Sequence, residues 1–242
     1  MRHLPLLLAL LAAPAFAQQT INYKISSGTG FAINNDGHVV TNNHVVRGCK
    51  SISVLTPKGE EAATLIANDS TRDLAVLKTS YISQVSAPLR WNINELKVGD
   101  SVVVMGFPGQ EGAEGHSKYQ KTAITALKGP TGEDGVLQLK SVAAKGNSGG
   151  PVLDGAGNVI AVISGMALTY RVDASTGNLS HQPIGKSDIA ITLDALRDFL
   201  RQHGIGFYES ASGLVMHGDS YLQENAAHFI LPVRCVQDIS YQ

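Results

Sequence analysis

Short apolar runs separated by turn-forming residues recur along the chain, and helical periodicity is nearly absent. Runs at 30–33, 39–41, 51–55, 62–66, 74–78, 101–105, 122–127, 136–139, 151–153, 159–163 and 188–191 read as strands. Between them stand Asn35-Asp36-Gly37, Pro57-Lys58-Gly59, Gly129-Pro130 and Asp154-Gly155-Ala156-Gly157, which supply the backbone conformations that reversing strands need. Many short strands at such spacing close into barrels or sandwiches. The pattern weakens over 88–99 and resumes at Leu96-Lys97-Val98-Gly99-Asp100, so the link between two halves falls there. One helix is readable. Thr192 caps it, Asp194 lies in its first turn, Leu193, Leu196, Phe199 and Leu200 share a face, and Gly204 ends it. The expectation is an all-β protein with units at 18–90 and 91–204, the second carrying the helix. An extended tail at 205–242 then packs on the body.

The first residues read as a signal peptide at 1–17. Arg2 and His3 precede an apolar stretch, and Ala15-Phe16-Ala17 is an A-x-A cleavage site. The apolar stretch is far shorter than the roughly 20 residues that span a bilayer, so no membrane association is expected after cleavage. A periplasmic or secreted location follows. The net charge is −1 with no basic cluster, which argues against nucleic acid as a partner. The only cysteines, Cys49 and Cys235, are too few for a metal site, and no cofactor or metal is expected. In an oxidising compartment they pair or remain as two buried thiols, and the pairing is favoured.

Three segments carry chemistry. In Gly146-Asn147-Ser148-Gly149-Gly150-Pro151 the serine is flanked by residues without Cβ, which permits a tight turn and an exposed hydroxyl. Ser148 is the candidate nucleophile, and the N–H groups of Gly146 and Ser148 are the candidate oxyanion donors. His44, in Thr41-Asn42-Asn43-His44-Val45-Val46, is the candidate base, since imidazole exchanges protons near neutral pH. Asp73, ahead of the apolar run Leu74-Ala75-Val76-Leu77, is the candidate orienter of that imidazole, with Asp69 as its rival.

Together with Ser27-Gly28-Thr29-Gly30-Phe31-Ala32-Ile33, these segments resemble the trypsin-like serine proteases, and most of all their bacterial HtrA-type branch. The resemblance runs from about 26 to 204. It implies two six-stranded antiparallel β-barrels, His44 and Asp73 from the first, Ser148 from the second, and a cleft between them. It implies hydrolysis of peptide bonds in proteins or peptides through an acyl-enzyme. The chain has neither the length nor the motifs of a PDZ domain, so no peptide-sensing or oligomeric regulation is carried over, and the oligomeric state stays open. Asn147 stands where digestive relatives carry an aspartate, so activation by pairing with a newly cut N-terminus is not expected.

The resemblance also places the pocket for the residue before the cut. Its walls would be Val142, Ala143 and Ala144 on one side and Ile163, Ser164, Gly165 and Met166 on the other. No carboxylate occurs among them, which predicts cleavage after small or medium aliphatic residues. Two alternatives compete. A catalytically silent, protease-shaped binding module would keep the fold alone. An α/β-hydrolase would read Gly146-Asn147-Ser148-Gly149-Gly150 as G-x-S-x-G, with Asp188 or Asp194 and His203 or His217 completing its triad, but it needs more helices than the one readable here.

Overall fold

The computed structural model describes residues 23–92, 95–173, 175, 177–211 and 216–238. The signal-peptide reading at 1–17 lies outside the described residues. In chain order the elements are β1 (Tyr23–Ala32), β2 (His38–Thr41), α1 (Asn43–Val46), β3 (Ser51–Thr56), β4 (Gly59–Asp69), β5 (Leu74–Thr79) and β6 (Leu89–Arg90). There follow β7 (Ser101–Gly106), α2 (Gly109–Ala113), β8 (Lys118–Ala126), β9 (Val136–Lys140), β10 (Pro151–Leu153), β11 (Val159–Thr169) and β12 (Gly185–Thr192). The chain closes with α3 (Leu193–Gln202), β13 (Glu209–Ser210), α4 (Asp219–Ala227) and β14 (Ile230–Asp238).

Two closed six-stranded antiparallel barrels result. The first runs β1-β14-β3-β4-β5-β2, and the second runs β10-β7-β8-β9-β12-β11 and closes through β10–β11. Alternation along the strands turns Val39, Val54, Ala75, Leu77 and Val233 into the first barrel. It turns Val102, Val104, Ile124, Leu139, Val152 and Ala190 into the second. A third apolar layer, including Phe31, Val76, Met105, Leu153 and Phe229, lies where the barrels meet and under α3. Helix α3 buries Leu193, Leu196, Phe199 and Leu200 completely, each contributing about 1.5–3 kcal/mol. The Thr192 hydroxyl caps it by accepting the Ala195 N–H.

Two boundaries differ from the sequence expectation. The end of the tail, expected as an extended segment packed on the body, is a strand of the first barrel: β14 pairs with β1 along Tyr23–Phe31 and with β3 through Val233–Val236, and so closes it. Residues 89–90, placed at the end of the first unit with no strand read there, form β6, which pairs with β11 and β13 at the edge of the second sheet. Both follow from long-range edge pairing. An apolar stretch such as 229–236 announces an extended segment but not which free edge it will satisfy, and the two-residue strand at 89–90 has no pattern of its own. Cys49, just past α1, is disulfide-bonded to Cys235 on β14, with Cα atoms 5.3 Å apart across 186 residues of sequence. The barrels also overturn the α/β-hydrolase reading: Asp188 and Asp194 lie on β12 and α3, while His203 packs against Phe199 and His217 stacks on Tyr221.

Candidate active site

His44 sits in the single turn of α1, directly after β2. Its Nδ1 lies 2.7 Å from Asp73 Oδ2, and its own backbone N–H donates to Asp73 Oδ1 at 2.9 Å. Two contacts to one carboxylate fix both the turn and the ring. Asp73 has φ +58°, the left-handed region that aspartate tolerates better than most residues. Its carbonyl is held there by the Asn42 side-chain amide at 2.9 Å and the Asn43 N–H at 3.2 Å. Burial pushes the Asp73 carboxyl up, but hydrogen bonds from His44 and Ser164 and the nearby imidazole outweigh it, leaving the pKa below the usual carboxylate range. Asp69, the rival, instead pairs with Arg72 at 3.0 Å.

The second barrel supplies the serine turn. Gly146 has φ +104° and Gly149 φ +85°. A Cβ at Gly146 would strike the Phe107 carbonyl, and one at Gly149 would strike Thr29 and Thr41, so both positions demand glycine. Three carbonyls of the turn are tied to the surrounding structure. Lys145 O accepts the Gly109 N–H at 3.0 Å, Gly146 O accepts the Thr29 hydroxyl at 2.6 Å, and Ser148 O accepts the Thr29 N–H at 2.8 Å. Because a trans peptide points its N–H opposite its C=O, anchoring Lys145 O turns the Gly146 N–H to the other side. Among the described residues neither the Gly146 nor the Ser148 N–H has an acceptor.

Ser148 Oγ donates to the Ser164 carbonyl at 3.3 Å, and Ser164 Oγ donates to Asp73 Oδ2 at 2.6 Å. Ser148, Ser164, Asp73 and His44 therefore form one line of hydrogen bonds across the cleft. Among the described residues no hydrogen bond joins Ser148 Oγ to His44. Asn147 is fully buried and donates to Gln120 Oε1 at 2.6 Å, and Gln120 in turn donates to Val142 O at 2.6 Å. Neutral amides thus fill the place where an aspartate would need a cation.

A cavity of about 160 Å³ opens beside Ser148. Of the residues named as walls, Ala143, Ala144, Ile163, Gly165 and Met166 line it, together with Lys145. Val142 and Ser164 do not; the Val142 carbonyl is bound to Gln120, and Ser164 spends its hydroxyl on Asp73. The premise that no carboxylate borders this cavity is overturned, because Asp188 on β12 also lines it. Sequence reasoning missed Asp188 as a pocket residue although a signal existed. Period-two alternation puts it on the same inward face as Ala190, a core position where a charge is anomalous. Thr29 was missed as well; it lies inside a motif that carried the resemblance, but its partners are all distant in sequence. A larger cavity of about 590 Å³, bordered by Arg72, Leu137, Thr192 and Asp194, contains none of these groups.

The trypsin-like peptidase domain family matches residues 28–162, more than half of the chain, and the chain belongs to that family. A probable periplasmic serine endoprotease DegP-like of Brucella suis is 37% identical over 147 residues, covering 57% of this chain and 27% of that protein. The uncharacterized protein y4bJ of Sinorhizobium fredii is 32% identical over 211 residues, 87% of this chain and 32% of its own length. The chain thus spans a third or less of these relatives. The crystal structure of the inactive form of the Rv3671c protease superposes with a TM-score of 0.55 at 26% identity, covering 75% of this chain and 88% of that one.

Proposed function

We propose that the chain is an exported serine endopeptidase acting through Ser148, His44 and Asp73. The observation that carries this reading is the line of hydrogen bonds from Ser148 through Ser164 and Asp73 to His44, drawn from both barrels. Ser148 Oγ attacks the peptide carbonyl carbon while His44 Nε2 takes its proton, which requires the hydroxyl to exchange the Ser164 carbonyl for His44. Hydrogen bonds of this kind commonly tighten only once substrate is bound. Asp73 accepts from Nδ1–H, fixes the tautomer and stabilises the imidazolium. The negative oxygen of the tetrahedral intermediate is received by the unpaired N–H groups of Gly146 and Ser148. His44 then returns its proton to the leaving amine, and water repeats the sequence on the acyl-enzyme.

The periplasm is the proposed location, in keeping with the apolar start of the chain, the Cys49–Cys235 disulfide and the name of the DegP-like relative. The Ser148–Ser164 contact is the one feature that favours a silent binding module. A fluorophosphonate probe on the mature protein separates the two readings. The expected outcome is stoichiometric labelling that is absent in Ser148→Ala, with casein cleavage reduced by on the order of 10⁶ in that variant. An unlabelled native protein, or a Ser148→Ala protein that cleaves at the native rate, would overturn the assignment.

A further inference from the structure

Asp188 is fully buried, yet it borders the cavity that opens at Ser148. Strand β12 brings it there, in register with Met166 of β11 and Leu139 of β9. Both of its oxygens act as acceptors. Oδ1 receives the Ser141 hydroxyl at 3.0 Å, and Oδ2 receives the N–H groups of Val142 and Ala143 at 2.7 Å each. A carboxylate offers about four acceptor sites, so three donors leave one open. Among the described residues no lysine, arginine or histidine forms an ion pair with it. A buried carboxylate met only by neutral donors is costly, and a cation arriving beside it recovers part of that cost.

The rest of the cavity fits a particular cation. Ala143, Ile163 and Met166 give an apolar wall between Ser148 and Asp188, suited to the methylene stem of a lysine or arginine whose charged head travels ahead of it. Met166, unbranched and exposed, can move to admit the stem. At about 30 Å³ per water-sized group, the cavity of about 160 Å³ holds roughly the non-hydrogen atoms of a lysine side chain. Lys145 also lines the cavity, but it is exposed, so solvent screens its charge, whereas that of buried Asp188 is screened much less.

We infer that Asp188 makes this cavity the receptor for a lysine or arginine side chain, and that cleavage falls after basic residues. The inference rests on the proposed peptidase reading for the cleavage, but not for the binding. The chemistry names the ligand class: a side chain with an apolar stem and a terminal cation. Acidic side chains are repelled, and short aliphatic ones leave the carboxylate unpaired.

The test separates binding from turnover. Binding of p-aminobenzamidine, a compact amidinium cation, is followed by its fluorescence in the Ser148→Ala chain with and without Asp188→Asn. Asparagine keeps an oxygen for the Val142 and Ala143 N–H groups, and its amide can donate to Ser141, so the fold is retained and only the charge is lost. The expected result is saturable binding that weakens roughly 30-fold or more in the Asp188→Asn chain, with no binding of the neutral p-aminobenzamide. In the native enzyme, peptide amides with arginine or lysine before the cut are expected to turn over faster than those with valine, and Asp188→Asn to erase the difference. Equal binding to both chains, or no binding to either, overturns the inference, as does a native profile led by valine or alanine. Amidinium binding that depends on Asp188 in a protein that fluorophosphonate does not label would uphold the pocket and reject the peptidase reading.

Discussion

The Thr29 hydroxyl on β1 donates to the carbonyl of Gly146 at 2.6 Å, joining the first barrel to the serine turn of the second across 117 residues. The same oxygen accepts the Phe107 N–H at 2.9 Å, and the Thr29 N–H binds Ser148 O at 2.8 Å. Thr29 is fully buried, so none of these partners has water as a substitute. One side chain thereby fixes the height of the first barrel relative to the turn that carries the nucleophile.

Thr29→Val keeps the volume and removes the hydroxyl. Gly146 O and Phe107 N–H are then left unpaired, at about 1–3 kcal/mol each. The peptide that follows the Gly146 oxyanion donor also loses an anchor, at its carbonyl. Losing one oxyanion donor outright costs about 10²–10³ in rate, and a loosened one is expected to cost roughly tenfold in kcat with little change in KM. Thr29→Ser should restore both stability and kcat. Steady-state kinetics with a peptide ester and thermal unfolding check this; a lowered Tm with unchanged kcat would assign Thr29 to the fold alone.

Asp73 makes stability depend on pH with a definite sign. Although burial raises its pKa, the bonds from His44 and Ser164 lower it on balance below the ordinary 3.8. A folded-state pKa below the unfolded one gives stability that is complete above the unfolded value and is lost as pH falls through the folded one. Asp73→Asn tolerates the left-handed backbone and does not titrate. The gap in unfolding free energy between the native chain and the variant is expected to be level above about pH 5 and to shrink below about pH 4. Urea unfolding across that range measures it, and a gap that widens on acidification would contradict the sign. In activity the variant should fall by on the order of 10⁴ in kcat.

The disulfide and β14 act on the same barrel. Reducing Cys49–Cys235 frees a strand that lies between two others, so the effect is one of stability before chemistry. Typical losses of about 2–4 kcal/mol correspond to a fall in Tm of roughly 5–15 °C. Deleting 230–238 goes further, because it opens the edges of β1 and β3 and removes Leu231 and Val233 from the core. Loss of soluble, folded protein is expected, read by yield and circular dichroism. A truncated chain that folds and cleaves would show that β1 and β3 can close the barrel without it.

The residues of the candidate site were legible because their constraints are local. Gly146 and Gly149 advertise positive φ, Asn42-Asn43-His44 follows a strand end, and Asp73 precedes a buried run, each within a few positions of the group it serves. The all-β class and helix α3 were legible for the same reason, since period two and period 3.6 are properties of a short window. What the sequence left undecided is set by contacts between distant segments. Whether β14 was a tail or a barrel strand depended on which sheet edge remained unpaired after the other strands had closed. Ser164 looked like a pocket wall until Asp73 was brought to its hydroxyl from 91 residues away. Asp188 was not foreseen at the cavity because β12 delivers a carboxylate from behind walls that are themselves apolar. A strand's own pattern determines which face points inward. Only the closed barrel determines what lies opposite that face.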